Sequence, residues 1–434
     1  MPSAVMKAEI APLGFLAGIT LYCLVTLPFM QALTVPVGFP LKIYEVLLLG
    51  SLALLPFLRH LRFPQSAIPM ARVTSYWLLL VSLMLVVKLC WPPASMSSTL
   101  IESRFGPVGD GITKLVYLWL NLFGFLIFSS LACRSEHLFI RAWLWGALFV
   151  SGYEFYLVAA NLAGVLAPPV LPGSLLVYFG LGSHAILRNA TFTEGNFAGL
   201  YFVLSTLLAL HAGRTKTAAV TICAAILTFS TPSILILCSL GLWKIWRRFQ
   251  NSRAIVRFFV APLLIAGVLG LGAGLAATAV FQAAVVSKFT AEEGTGEALS
   301  RVERLQMARG AWEMFVDNPL TGVGVAQYGY NILHYEALSV TRKQIPNVVY
   351  LEFLSEDGLI AFAIFFYSLW LAYRRTDMPD EGHLRFGILS LMISFFAFPT
   401  ISVMYLWSFL GLVSGRRRSE ITSSQRSAPD AETR

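Results

Sequence analysis

One stretch of this 434-residue chain gathers groups suited to gripping a phosphate. The run from Ser300 to Pro319 carries Arg301, Arg304 and Arg309. Guanidinium groups bind phosphate oxygens in a two-pronged fork, and the start of a helix adds backbone N–H donors. Leu305, Ala308, Ala311, Trp312 and Phe315 recur at helical spacing, so a helix is expected with those residues as its apolar face, ending at Pro319. A plainer reading pairs the arginines with Glu297, Glu303 and Glu313 on a solvated helix. Gly322 and Gly324 then read as a turn. No strand precedes them and no Lys-Ser/Thr follows, so they are not a phosphate loop. His184 and His334 are bases by residue type, without a carboxylate partner defined by spacing. None of the five cysteines forms a CxxC pair, which leaves a zinc site or a disulfide framework without support; neither metal nor cofactor is expected.

The composition says what must position these groups. Apolar residues make up 57% of the chain and charged ones only 13%, against about 25% in an ordinary soluble protein. So few charges cannot cover a soluble surface, which excludes a cytosolic globular enzyme and a disordered chain. Continuous apolar runs rather than short alternating strands point to an all-α polytopic membrane protein, not a barrel. Candidate spans lie near 10–34, 41–58, 73–91, 111–131, 138–163, 195–212, 217–230, 232–246, 255–282, 348–372, 384–398 and 400–415, about 12 transmembrane helices. The last two could instead form one helix kinked at Pro399. A long, partly helical loop, about 283–347, separates spans 9 and 10. Residues 1–418 form a single transmembrane catalytic domain and 419–434 a polar, disordered cytoplasmic tail. No internal repeat supports an inverted-repeat transporter.

The net charge of +9 sorts by side. With both termini cytoplasmic, 21 of the 32 lysines and arginines fall inside. Of the 11 outside, six belong to the long loop, to which the positive-inside rule does not apply. Basic residues therefore orient the protein and do not imply nucleic acid. Few charges remain outside: Glu102, Arg104 and Asp110 in one connection, His184, Arg188 and Glu194 in another, and the loop set, which includes Glu336, Arg342 and Lys343. Most spans have uncharged centres, Glu154 being an exception, and this argues against a carrier of lipid-linked or amphipathic solutes.

Three blocks together resemble the bacterial O-antigen ligase and polymerase family. Arg304 to Gly324, ending Asn-Pro-Leu-Thr-Gly-Val-Gly, is similar to its R…hPLxGvG block. Asn347 to Ile360 resembles its HNxxLExxxExGlig block, and Arg188 to Gly199 its R-x-x-GxfxePNxxG block. The motifs cover about 180–372, in the family's order. The resemblance implies an inner-membrane glycosyltransferase of the periplasmic face, working without metal on a glycan carried by undecaprenyl pyrophosphate, with a flippase and a chain-length regulator as possible partners. It implies Arg188 and Arg304 as phosphate-side arginines, with Arg301 a second candidate beside Arg304. Arg309, His334, Glu336 and Arg342 are further pyrophosphate or glycan contacts. Two departures stand out. Asn347 occupies the family's histidine position and cannot take a proton at neutral pH, although it can orient a sugar. Gly195 stands where proline is usual. Both favour the polymerase branch over the ligase branch. If a base is needed, Glu194, Glu336, His334 and Glu352 are the candidates in that order, although Glu352, at the start of a span, could equally be a helix cap.

Overall fold

The computed structural model describes residues 14–36, 40–54, 63–90, 105–165, 168–174, 176–181, 184–250, 296–335, 345–376, 381–399 and 401–416. The expected span 255–282, the loop before 296, Glu102, Arg104, Glu336, Arg342, Lys343 and the tail lie outside them. Fourteen helices are described: α1 (Phe15–Thr26), α2 (Ile43–Leu54), α3 (Ile68–Cys90), α4 (Gly106–Arg134), α5 (Glu136–Leu162), α6 (Gly195–His211), α7 (Thr215–Leu227), α8 (Thr231–Gln250), α9 (Gly296–Asp317), α10 (Tyr328–Tyr335), α11 (Val349–Glu356), α12 (Gly358–Arg375), α13 (Gly382–Ser394) and α14 (Met404–Gly415). The chain is thus mainly helical, and α3 and α4 are by length and composition able to cross a bilayer.

Buriedness ranks the helices. α6 is enclosed nearly all round, with Ala198 to Ala209 buried without a break, and α14 is buried along its whole length. A helix apolar on every face belongs at the centre of a bundle. α14 can lie close against α4 because Gly411 and Gly415 face it four residues apart. A Cβ at Gly411 would stand 3.0 Å from the Phe125 carbonyl oxygen, and one at Gly415 would collide with Ser129. α3 lies at the edge, with Tyr76, Leu79, Leu83 and Val86 exposed. Such a surface is suited to lipid rather than water.

The structure departs from the sequence reading in two places. Two short antiparallel hairpins stand between helices, β1 (Val35–Pro36) with β2 (Pro40–Leu41) and β3 (Tyr178–Leu181) with β4 (His184–Leu187). Backbone between helices still has to pair its N–H and C=O groups, and a hairpin does so locally. The expected span 348–372 is broken into α11 and α12 at Asp357–Gly358, where Gly358 has φ +75°. The residues from 384 to 415 are two helices, α13 and α14, as two separate apolar runs lead one to expect and not one helix kinked at Pro399, with a turn at Phe395–Ala397.

Candidate functional site

The break between α11 and α12 is filled by another piece of backbone. Val323 N–H donates to Ser355 O at 2.7 Å, Gly324 N–H to Glu356 O at 2.8 Å, and Leu359 N–H to Pro319 O at 2.8 Å. The Pro319–Gly324 turn and the Glu356–Gly358 corner therefore lock main chain to main chain. Neither glycine can carry a side chain there. A Cβ at Gly322 would lie 2.6 Å from Ser355 O, one at Gly358 would lie 2.6 Å from Thr321 N, and both residues have positive φ. The turn expected at Gly322 and Gly324 is present, and its partner is the second glycine block.

A buried charge cluster fastens this lock to α4. Lys114 Nζ donates to Glu352 Oε1 at 2.5 Å and to Glu356 Oε2 at 2.6 Å. The Glu356 carboxylate also accepts from Ala326 N–H at 2.8 Å and Tyr328 N–H at 3.2 Å, so it places negative charge at the start of α10. Lys88, at the end of α3, donates to Gly322 O at 2.6 Å. Along the same face of α4, Pro107 O accepts from Gln327 Nε2 at 2.8 Å and Asp110 Oδ2 from Tyr330 Oη at 2.6 Å. Pro107, Asp110 and Lys114 recur at helical spacing, so α4 holds the turn and α10 at three successive levels. Glu352 stands in the first turn of α11 and is an ion-pair partner of Lys114.

The arginine side is built differently. The β3–β4 hairpin runs into Arg188, whose N–H donates to Val177 O at 3.2 Å. The next residues are held firmly. Asn189 Nδ2 donates to Phe192 O at 2.6 Å and Thr191 Oγ1 to Pro28 O at 2.6 Å, while the buried Glu154 of α5 lies beside Ala190. Arg188 is thereby delivered to the N-terminus of the central helix α6. Partial burial weakens its hold on its proton, neighbouring Glu194 strengthens it, and Arg304 weakens it. Glu194 and Arg304 therefore each lie within electrostatic reach of Arg188, although Arg304 is 116 positions downstream of it. Glu194 is exposed, stands at the N-cap of α6 and makes no side-chain cap bond. Gly195 fits its surroundings, since a Cβ there would meet Thr228 O at 2.8 Å and Arg188 O at 3.0 Å.

α9 brings Asn347 to the same neighbourhood. Asn347 Nδ2 contacts Met307 Sδ at 3.7 Å, one turn along from Arg304. Met307, Ala311 and Met314 form the buried face of α9, against Tyr328 and Ile332 of α10. Of the five residues expected on the apolar face, Ala311 is buried here, whereas Leu305 is 73% exposed and Trp312 52% exposed, because α9 packs through its methionine side. Arg309 is exposed and pairs with Glu313 at 2.9 Å, as the plainer reading of the charge run expects. His334 is exposed at the end of α10. Arg301 lies within α9 and His184 begins β4. Among the described residues, no group of His, Cys, Asp or Glu is arranged to hold a metal.

Sequence reasoning passed over Lys88, Lys114, Glu356, Asp357 and Tyr330. The signal was present: a lysine within one expected span and three acids within another are costly in lipid unless they meet. The chain shows one match among protein families and none among curated proteins. Residues 216–366 match the family described as O-antigen ligase, a stretch that takes in α9, the Pro319–Gly324 turn and the Glu352–Gly358 corner, but not Arg188 or Lys114.

Proposed function

We propose that this chain, whose residues 216–366 match the family described as O-antigen ligase, joins lipid-linked repeat units into a polysaccharide on the outer face of the bacterial inner membrane. The donor glycan is carried on undecaprenyl pyrophosphate. An acceptor hydroxyl oxygen bonds to the anomeric carbon, the bond from that carbon to the pyrophosphate oxygen breaks, and the hydroxyl proton is released. The observation that carries this reading is that Arg304, from a separate motif block, lies within electrostatic reach of Arg188, as Glu194 does. Negative charge grows on the departing pyrophosphate, so two fixed guanidinium groups stabilise the transition state more than the ground state. Glu194 receives the proton, as an exposed carboxylate not occupied as a cap. Asn347, beside α9, orients the acceptor sugar by hydrogen bonds without exchanging a proton.

The test is reconstitution of the full chain in vesicles with a lipid-linked repeat unit as both donor and acceptor. A ladder of lengthening glycans is expected from the native chain, and single repeats from Arg304→Ala or Arg188→Ala. A ladder of unchanged length from either variant overturns the pyrophosphate clamp. Transfer to lipid A-core but never to a second repeat unit would make the protein a ligase, and movement of the lipid-linked glycan without bond formation would make it a carrier.

A further inference from the structure

α9 has a second apolar face, opposite its methionine side. Val302, Leu305, Trp312 and Val316 follow one another at steps of three, seven and four residues, which keeps them on one side of a helix. All four are more than half exposed, and Leu305 is the most exposed large hydrophobic residue described. Leu320, 59% exposed, lies just past the end of the helix. There the stripe meets α12, because Leu359 N–H donates to Pro319 O at 2.8 Å. Leu359 and Ile360 are both exposed and begin an apolar surface that continues along α12 through Tyr367 and Trp370. The stripe is therefore continuous, through the backbone lock, with the exposed apolar flank of α12, which belongs to an expected span. Arg309 sits in the middle of it, reaching outward with its side chain 73% exposed.

We propose that α9 lies in the outer-leaflet interface of the bilayer, with Leu305, Trp312 and Val316 against the acyl chains and Arg309 reaching lipid phosphates. An apolar stripe carrying a tryptophan and an arginine is the make-up of a helix lying in a membrane surface. Water would leave the stripe unsatisfied, whereas lipid covering the exposed apolar flank of α12 would extend over it. The inference rests on the reading of the chain as a membrane enzyme with its site on the outer face. It adds a route: a polyprenyl pyrophosphate holds its phosphates at headgroup depth, so it reaches Arg304 by sliding along α9 without leaving the membrane.

The full chain in phosphatidylglycerol-containing vesicles tests this, using lipids brominated near the glycerol end of the acyl chain to quench tryptophan fluorescence. The chain has ten tryptophans, so the difference between native protein and Trp312→Phe isolates Trp312. At least a twofold loss of that difference signal with brominated lipid, and little loss with aqueous iodide, is expected. Quenching by iodide but not by brominated lipid would place the stripe in water. Quenching by neither would place it against protein, such as a second copy of the chain, and either result overturns the proposal. Lipid contact without glycan transfer would leave this inference standing and sink the proposed function.

Discussion

The two halves of the candidate site are held in opposite ways. Around Gly322 and Gly358, main chain is locked to main chain, Lys88 of α3 and Glu356 of α11 bond to the turn's backbone, and Lys114 of α4 holds Glu356. Around Arg304, the side chain stands exposed on a helix that packs through a different face. The glycines of the Arg304–Gly324 block and the acids and glycine of the Asn347–Ile360 block are accounted for by architecture alone. Arg304 is not, since among the described residues nothing in the packing requires it. Residues fixed by the fold hold the scaffold, and the residue the fold can spare is where chemistry belongs.

Substitutions should separate the halves. The largest effect is expected from Gly322→Val or Gly358→Val, because each side chain would enter the facing backbone at positive φ. Folded protein recovered in detergent should fall to a small fraction of native yield, and normal yield would show that the corner is looser than described. Next comes Lys114→Ala, which strands Glu352 and Glu356 in a buried site. Removing one member of a buried ion pair costs about 3–5 kcal/mol, so the thermal midpoint should drop clearly, and a midpoint equal to native would remove the cluster from the structural half. Arg304→Ala should leave the thermal midpoint within error while reducing transfer on the order of 100- to 1,000-fold. Arg304→Lys should not restore it if two-pronged binding matters. A fall in stability that matches the fall in activity would erase the contrast between the halves. Asn347→His should be neutral at most, and a large gain in transfer would instead mark an eroded ligase site. Arg309→Ala is expected to be silent in thermal stability, since exposed ion pairs contribute little.

Much of this was legible in the sequence because it depends on one-dimensional pattern. Apolar runs placed the described helices that match expected spans, and the glycine pair announced a turn. The helix around 300–319 was also predictable, but its buried side was not. Leu305 and Trp312 look like core residues by hydropathy, and Met307 and Met314 bury instead because α10 and Asn347 approach from that side. Likewise, Lys114 and the acids of α11 could be seen as costly in lipid, yet nothing local says that they meet.

The sequence by itself determined the class of molecule, its helix content and the residue types available for holding a pyrophosphate. These follow from how many apolar residues stand in a row and which functional groups interrupt them. Only the tertiary structure decided that Pro319–Gly324 closes on Glu356–Gly358, that Lys114 joins them to α4, and that Arg188 stands within electrostatic reach of Arg304. Contacts between residues more than a hundred positions apart depend on how helices pack, and that packing is set by the whole set of facing surfaces rather than by any one segment.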